Sequence, residues 1–298
     1  MSTEKMLAQM SRQPGFIAAL DQSGGSTPGA LRQYGIPDSA YRGDAEMFRL
    51  VHEMRVRIMT APAFTGAQVI AAILFEGTMD GMVYDKPVPS YLWNDRGVVP
   101  FVKVDQGLEP EQDGVRLMRP MPSLDATLAR AVKLGVFGTK MRSVINLPSR
   151  AGIAANVRQQ FEIAERIVGH GLMPIIEPEV LLQSPDRSAA EAILREELTR
   201  QLEAMPDGQR VMLKLTIPVA PDFYASLIAH ERVVRVVALS GGYSRAEACQ
   251  HLAANHGMIA SFSRALAEGL THSMTDQAFN AAIEQSIGQI YSASTVKV

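Results

Sequence analysis

The chain has 298 residues, of which 47% are hydrophobic and 20% are charged, with 29 Lys and Arg against 31 Asp and Glu. The formal net charge of −2 argues against a general nucleic-acid-binding protein, because such proteins normally present a basic face. One cysteine, Cys249, allows no internal disulfide and is typical of a reducing compartment. The first residues lack an apolar signal core, and no apolar run approaches ~18 residues. We therefore expect a cytoplasmic protein that does not enter a membrane.

In chain order, short apolar runs alternate with amphipathic segments. The apolar runs predict eight strands, at 16–20, 69–75, 99–104, 137–145, 173–177, 211–215, 233–239 and 258–262. The amphipathic segments predict helices around 44–59, 124–134, 154–170, 188–204, 221–229, 244–255, 265–270 and 275–291. Gly, Pro and Asp residues over 77–98 predict a long irregular connection.

Strands that are apolar on both faces are typical of a parallel sheet covered by helices. Eight such strands predict an α/β fold, a single (β/α)8 TIM barrel over 1–298 that ends in a C-terminal helix. An open doubly wound sheet is the alternative, but no GxGxxG sequence follows the first strand, which disfavours dinucleotide binding. No linker or low-complexity tract divides the chain, so we expect one catalytic domain.

Polar or charged residues occur at nearly every predicted strand end. In a barrel, the carboxyl ends of the strands form the mouth where active sites lie. Each residue alone is typical of a buried ion pair, but so many charges in one apolar setting cost too much free energy without a purpose. Together they predict a site that comprises Asp21, Glu76, Lys103, Lys140, Arg142, Glu177, Glu179, Lys214, Ser240, Gly241, Gly242, Ser263 and Arg264.

Lys214 is the most informative of these residues. It lies in the apolar run 211–217, where strand alternation turns its side chain toward the barrel interior. Desolvation near a second cation such as Lys140 lowers the pKa of a lysine from about 10.4 toward neutrality. One interpretation is therefore a neutral amine that attacks a carbonyl to form a Schiff base. The other is a structural lysine paired with Glu177 or Glu179.

Two further pairs share a strand face, Lys140 with Arg142 and Glu177 with Glu179. The cations would hold an anion or orient a carboxylate, and a carboxylate near the lysine would move protons during carbinolamine formation and dehydration. Paired carboxylates also bind metals, but no histidine accompanies these two. We expect neither a metal nor a cofactor.

Two Gly-rich turns are typical of phosphate sites. Ser240-Gly241-Gly242 closes the seventh strand before a helix that begins near Ser244, where glycine and free N–H groups admit an anion. Ser263-Arg264 follows the eighth strand, and the loops after strands seven and eight commonly bind phosphate in barrels. The other turn is Ser23-Gly24-Gly25-Ser26, with Lys103 nearby in barrel order. Two sites on opposite sides of a central lysine predict a substrate with a phosphate at each end.

These stretches resemble the class I, Schiff-base-forming fructose-1,6-bisphosphate aldolases of the short bacterial type. The resemblance spans most of the chain and rests on 19–26, 102–107, 140–142, 176–179, 213–214, 239–242 and 262–266. It implies a (β/α)8 fold and metal-independent, reversible cleavage of fructose 1,6-bisphosphate to dihydroxyacetone phosphate and glyceraldehyde 3-phosphate, a step of glycolysis. By analogy it also implies a small-molecule sugar phosphate substrate and a homo-oligomer.

The resemblance implies a role for each matching residue. Lys214 would form the Schiff base, Glu177 would transfer protons, and Glu179 would help to set the charge balance. Asp21 would take the C4 hydroxyl proton, with Lys140 stabilising charge beside it. The first phosphate site, formed by the turn Ser240-Gly241-Gly242 with Ser263 and Arg264, would bind the C1 phosphate through Ser240, Gly241 and Arg264. The second phosphate site would comprise Ser23, Ser26, Lys103 and Arg142.

The chain departs from the family pattern in three places. Gln22 stands where many animal and plant relatives carry Glu, and Ser263 stands where they carry Gly. Longer relatives end in a mobile tail with a functional Tyr, a role that we do not transfer to Tyr291 in the last predicted helix. Two alternatives stay open: a Schiff-base barrel for another sugar phosphate, and a non-catalytic barrel that binds a sugar phosphate.

Overall fold

The computed structural model describes residues 2–298, and eight parallel strands form a closed barrel at its centre. The barrel strands are β1 Phe16–Leu20, β2 Val69–Leu74, β3 Val99–Lys103, β4 Gly138–Ile145, β5 Met173–Val180, β6 Val211–Thr216, β7 Val233–Leu239 and β8 Ile259–Phe262. They pair in the order β3-β2-β1-β8-β7-β6-β5-β4, and β3 also pairs with β4, which closes the sheet. The predicted barrel is confirmed, and the open doubly wound alternative is wrong.

Helices surround the barrel and connect its strands. They are α1 Ser2–Arg12, α2 Thr27–Gln33, α3 Gly43–Thr60, α4 Glu76–Met79, α5 Val88–Arg96, α6 Leu124–Lys133, α7 Arg150–Gly169, α8 Arg187–Ala204, α9 Ala225–Ile228, α10 Arg245–Ala253, α11 Arg264–Ala267 and α12 Asp276–Thr295. Outside the barrel, Met82–Val83 and Lys86–Pro87 form a short hairpin, and Val115–Arg116 pairs antiparallel with the end of β4.

Strand alternation divides the apolar side chains into two layers. Phe16, Ala18 and Leu20 of β1 belong to the layer between sheet and helices, whereas Ile17 and Ala19 point into the barrel. The inner layer fills the end of the barrel at which the strands begin, and Met6 and Met10 of α1 pack against it. Within residues 2–298 that end is packed with apolar side chains, and the cavity lies at the opposite end of the barrel.

The structure differs from the sequence prediction in the connections. The stretch 77–98 was expected to be irregular, but it contains α5, whose first turn includes Pro89. Proline is compatible with the first turn of a helix because the N–H groups there have no intrahelical partner. The helix expected over 221–229 is reduced to one turn, Ala225–Ile228. α1 and α2 were not predicted.

Candidate active site

The polar residues of the site continue the inward-facing positions of the apolar core. On β6, Met212 belongs to the inner layer, and Lys214 is the next residue on the same face. On β5, Ile175 is followed in the same way by Glu177 and then Glu179. β5 and β6 therefore each contribute an apolar side chain to the packed end of the barrel and at least one charged side chain to its open end.

A cavity of about 1240 Å³ lies at the carboxyl ends of the strands. Every predicted site residue except Gly242 lines it, so the structure brings both predicted phosphate sites and the central lysine together. The lining also includes residues that the sequence did not place in the site, among them Gln22, Asp105, Arg116, Arg119 and Ser261.

Five buried side chains form a connected group of charges, here called the Lys140 cluster: Asp21, Asp105, Lys140, Glu177 and Lys214. Lys140 Nζ lies 2.6 Å from Asp21 Oδ2 and 3.0 Å from Glu177 Oε2. Lys214 Nζ lies 3.0 Å from the other oxygen of Glu177, Oε1. Lys214 thus has the ion pair that one interpretation of its sequence context predicted, and that ion pair lies at the cavity wall.

The cluster fixes the charge of its members. Burial opposes the charged form of Asp21, but the positive charges of Lys140 and Lys214 outweigh it and hold the Asp21 pKa well below its usual range. Burial also opposes the charge on Lys140, and the carboxylates of Asp21 and Glu177 outweigh it and raise the Lys140 pKa. The same two lysines lower the pKa of Glu177 against the effect of its burial. Near neutral pH, Asp21 and Glu177 are therefore ionised beside a charged Lys140.

A buried hydrogen-bond chain anchors the backbone at Glu177. The Glu177 N–H donates to Gln160 Oε1 on α7 at 2.9 Å, and Gln160 Nε2 donates to Ser143 Oγ on β4 at 2.5 Å. Ser143 Oγ donates in turn to Asn156 Oδ1 on α7 at 2.7 Å. Because these bonds are shielded from water, they hold β4 and β5 in a fixed position against α7. These hydrogen bonds thereby help to keep the carboxylate of Glu177 between Lys140 and Lys214.

The first phosphate site lies where β7 and β8 end. Gly241 has φ +62°, and a Cβ at this position would come within 3.0 Å of Leu182, so the turn requires glycine. Arg264 forms no ion pair within residues 2–298, which leaves its guanidinium available to an anion. Gly242 is exposed and does not line the cavity, and a Cβ at its position would lie 3.8 Å from Arg264 Nη2. The loop and Arg264 together can bind phosphate.

One expectation about this site is wrong. The N–H groups at the start of α10 were expected to be free, but Ser244 and Glu247 form a capping box there. The N–H of Arg245 donates to Glu268 Oε2 at 2.8 Å. The N–H groups of Ser244, Arg245 and Glu247 are thus already bonded, so a phosphate would have to be held by the Ser240–Gly242 turn and Arg264.

At the second phosphate site, both expected cations are already paired. Lys103 Nζ lies 2.8 Å from Asp105 Oδ1 and donates to the Asp105 carbonyl oxygen at 2.6 Å. Arg142 Nε donates to Glu179 Oε2 in a short contact. In the adjacent turn, the Ser26 hydroxyl donates to the Ser23 carbonyl oxygen at 2.9 Å. Three of the side chains predicted to bind the second phosphate, those of Ser26, Lys103 and Arg142, thus have internal partners.

A buried arginine on α3, Arg55, bonds to the segments that follow β1 and β2, and Gln22 extends the connection to the end of β8. Arg55 donates to Thr78 Oγ1 at 2.7 Å and, in a short contact, to the carbonyl oxygen of Gln22. Gln22 Nε2 donates to Ser263 Oγ at 2.6 Å. Gln22 and Ser263 are the two positions at which the sequence departs from the pattern of animal and plant relatives, and here they bond to each other.

Three residues of the site were not predicted from the sequence, and they differ in whether a sequence pattern could have identified them. Asp105 lies two residues after Lys103, so strand alternation could have placed it on the same face. Ser261 follows Ile259 in the same way, and its buried hydroxyl has no partner within residues 2–298. Arg55 lies within an ordinary amphipathic helix, and no local pattern marks it as a buried guanidinium.

In the described residues 2–298, no helix combines the length and hydropathy needed to cross a bilayer. Within the same residues, no group of three or more His, Cys, Asp and Glu side chains is arranged to hold a metal ion. Tyr291 of α12 packs against the core, and it is not part of the cavity wall.

Comparison with known proteins gives the chain a family. Residues 17–217 match the family model described as fructose-bisphosphate aldolase class-I. The chain is 55% identical over 291 residues to the fructose-bisphosphate aldolase class 1 of Synechocystis, covering 98% of this chain and 97% of that protein. It is 52% identical over 291 residues to the protein of the same name from Porphyromonas gingivalis, covering 98% and 99%.

Solved structures agree at the level of the fold. A structure of fructose-bisphosphate aldolase from Plasmodium falciparum, crystallised with TRAP and a small-molecule inhibitor, matches with a TM-score of 0.77. The match covers 100% of this chain and 96% of that one at 19% identity, which shows a shared barrel. Because near-full-length relatives and the family model agree, the chain belongs to the class I fructose-bisphosphate aldolase family.

Proposed function

We propose that the protein cleaves fructose 1,6-bisphosphate reversibly to dihydroxyacetone phosphate and glyceraldehyde 3-phosphate through a Schiff base on Lys214. The observation that carries the proposal is the position of Lys214 Nζ at the cavity wall, 3.0 Å from a buried carboxylate, in a member of this family. An amine beside a proton acceptor at the centre of a polar cavity is the arrangement that carbinolamine chemistry requires.

Schiff-base formation uses the contact between Lys214 and Glu177. Lys214 gives a proton to Glu177, and the neutral amine attacks the C2 carbonyl to form a carbinolamine. Glu177 then returns the proton to the carbinolamine hydroxyl, which leaves as water and yields an iminium ion. Lys140 remains charged throughout, because its pKa is raised by the carboxylates around it. Its charge stabilises whichever carboxylate is ionised at each step.

Cleavage of the C3–C4 bond uses Asp21. Asp21 takes the proton of the C4 hydroxyl while the electrons of the C3–C4 bond move to the iminium, giving an enamine and glyceraldehyde 3-phosphate. A carboxylate with a lowered pKa suffices, because the hydroxyl becomes strongly acidic as its oxygen becomes a carbonyl oxygen. Asp21 then releases its proton, C3 of the enamine takes one up, and water hydrolyses the resulting iminium to release dihydroxyacetone phosphate.

The phosphates would orient the sugar across the cavity. Ser240, Gly241 and Arg264 would bind the C1 phosphate, and Ser23, Ser26, Lys103 and Arg142 would border the other. Glu179 would hold Arg142 through their ion pair. We further propose that the chain is one catalytic domain that acts in the cytoplasm as a homo-oligomer, as its family membership suggests.

The test is borohydride reduction in the presence of dihydroxyacetone phosphate, followed by peptide mass mapping. We expect one adduct, at Lys214, and cleavage of fructose 1,6-bisphosphate that persists in excess EDTA. Lys214→Met should lose both adduct and activity, whereas Lys133→Met, the same change at an exposed lysine of α6, should keep both.

Each other outcome contradicts a stated part of the proposal. An adduct at another lysine would overturn the role of Lys214, and strict dependence on a divalent metal would overturn the Schiff-base route. An adduct at Lys214 without cleavage of the bisphosphate would indicate an aldolase for another sugar phosphate. Binding without any adduct would indicate a non-catalytic barrel.

A further inference from the structure

The charges around the second phosphate site are arranged in an unexpected way. The two cations assigned to it by the family resemblance, Lys103 and Arg142, are each paired with a carboxylate. A phosphate that approaches them meets ion pairs of zero net charge rather than free cations. By contrast, Arg264 at the first phosphate site has no anionic partner within residues 2–298. If the substrate has two phosphates, the second one requires another source of positive charge.

Two further arginines line the same cavity, Arg116 and Arg119. Each side chain donates one hydrogen bond within the protein, from its Nε. Arg116 Nε donates to the carbonyl oxygen of Glu109 at 3.0 Å, and Arg119 Nε donates to the carbonyl oxygen of Leu108 at 3.1 Å. Within residues 2–298 their Nη groups make no hydrogen bond and neither side chain forms an ion pair. Both guanidinium groups therefore keep the donors that bind phosphate in a bidentate manner.

The backbone places these arginines beside the second phosphate site. Arg116 pairs antiparallel with Val144 of β4, and directly opposed residues share a face of the sheet. Val144 shares its face with Arg142, two residues earlier on the strand. Arg116 thus lies beside Val144, on the face of the sheet that Arg142 shares. The N–H of Arg119 donates to the carbonyl oxygen of Gly107, which ties it to the loop after β3.

The position in the barrel also fits a second phosphate. β3 and β4, which carry the loop with Arg116 and Arg119, lie three or four strands away from β8, after which Arg264 follows. In an eight-stranded barrel, that separation puts them on the opposite side of the mouth. Lys214 lies on β6, between the two sides. The unpaired guanidinium groups thus occur at the two ends of a cavity with the reacting lysine between them.

We infer that Arg116 and Arg119 bind the phosphate at the aldehyde end of the substrate and give the enzyme its preference for a sugar bisphosphate over a monophosphate. This inference rests on the proposed function, since it assigns residues to one end of the same substrate. Lys103 and Arg142 remain paired with Asp105 and Glu179 beside the phosphate. The unpaired charges of Arg116 and Arg119 then neutralise the phosphate dianion.

The test compares fructose 1,6-bisphosphate with fructose 1-phosphate, which lacks the second phosphate, in Arg116→Gln, Arg119→Gln and the double variant. Because charge-assisted hydrogen bonds are lost, we expect kcat/KM for the bisphosphate to fall roughly 10- to 100-fold in the double variant. For fructose 1-phosphate it should change less than about twofold. Borohydride trapping of dihydroxyacetone phosphate on Lys214 should be unaltered.

The controls separate binding from structure. Arg158→Gln removes an exposed arginine of α7 outside the cavity and should leave both substrates unaffected. Arg116→Lys keeps the charge and should recover part of the lost bisphosphate activity. Equal loss for both substrates, or no loss for the bisphosphate, would overturn the inference while the wild type remains an aldolase. A wild type that neither cleaves the bisphosphate nor forms the adduct would overturn the proposed function itself.

Discussion

Lys140 and Lys297 are lysines at opposite ends of the barrel, and their surroundings differ in charge. Lys140 lies at the mouth, 2.6 Å from Asp21 and 3.0 Å from Glu177. Lys297 is half-buried near the start of β8, where no carboxylate contacts it within the described chain. Its Nζ donates to backbone carbonyl oxygens at 2.7 to 3.2 Å, those of Leu252, Met258 and Ala293.

The two lysines differ in pKa although burial lowers the pKa of both. At Lys140 the carboxylates prevail and raise it, whereas at Lys297 burial prevails over a weak opposing effect of Asp222 and lowers the pKa to about 8. Arg55 shows that location is not the cause. It lies at the mouth with neutral hydrogen-bond partners, and burial outweighs the opposing effect of Asp21 and lowers its pKa to about 10. The charge of the partners, rather than the depth of burial, decides how firmly a buried cation keeps its proton.

Removing the charge at Lys140 should have the largest effect. In Lys140→Met, Asp21 and Glu177 would remain buried without their shared cation, which costs about 3–5 kcal/mol of unfolding free energy. Since proton transfer by both carboxylates depends on that charge, we expect kcat to fall about 10²- to 10⁴-fold. Urea unfolding and steady-state kinetics would measure the two effects.

Lys133→Met is the matched control for that change, because it alters an exposed lysine in the same way and should leave both quantities within error. A Lys140→Met protein as stable as wild type would show that the carboxylates do not depend on the buried ammonium. The contrast with Lys297 would then have no energetic meaning.

Asp21→Asn tests the same cluster from its anionic side, through pH. Asp21 has a folded pKa below the ordinary 3.8, so its ionised form stabilises the native state above about pH 4. That contribution disappears as pH falls through the folded pKa. We therefore expect the variant to be less stable than wild type at pH 7 and the difference to shrink below pH 4. A difference that is constant from pH 7 to pH 3, measured by urea unfolding, would contradict the assigned charge.

The sequence was sufficient for the strands and for most of the Lys140 cluster. Strand alternation works for Lys214 because an apolar neighbour on the same face, Met212, reveals which side is the interior. No comparable pattern identifies Arg55, because the sequence of an amphipathic helix does not distinguish a buried arginine from an exposed one. Its partners, Thr78 and Gln22, are distant in sequence and meet it only in the closed barrel.

Pairing within the site was also beyond sequence reasoning. Lys103 and Arg142 were predicted as phosphate ligands from their residue types, but they form ion pairs with Asp105 and Glu179. Residue type shows that a group is charged, whereas only three-dimensional contact shows whether its charge is already neutralised. The burial of a lysine does not by itself identify a site residue either, because Lys297 is partly buried and lies outside the cavity.

Arg55→Met should have an intermediate effect. The carbonyl oxygen of Gln22 and the hydroxyl of Thr78 would lose their donor, and unsatisfied buried groups cost about 1–3 kcal/mol. Because Gln22 follows Asp21 and bonds to Ser263, we also expect KM to rise more than kcat falls. Kinetics and urea unfolding of the same preparation test both effects. Loss of stability with unchanged KM would assign Arg55 to folding alone.

Lys297→Met should have the smallest effect and a distinctive pH dependence. The site lies at the other end of the barrel, so kcat and KM should be unchanged, and the loss of stability at pH 7 should stay below about 1 kcal/mol because the side chain is partly solvated. The folded pKa is about 8 and the ordinary value is 10.5, so between these values the unfolded chain binds more protons than the native one. Stability of the wild type should therefore rise relative to the variant from pH 8 to pH 10.5. A relative fall over that range would mean that the carbonyl oxygens stabilise the ammonium as strongly as carboxylates do.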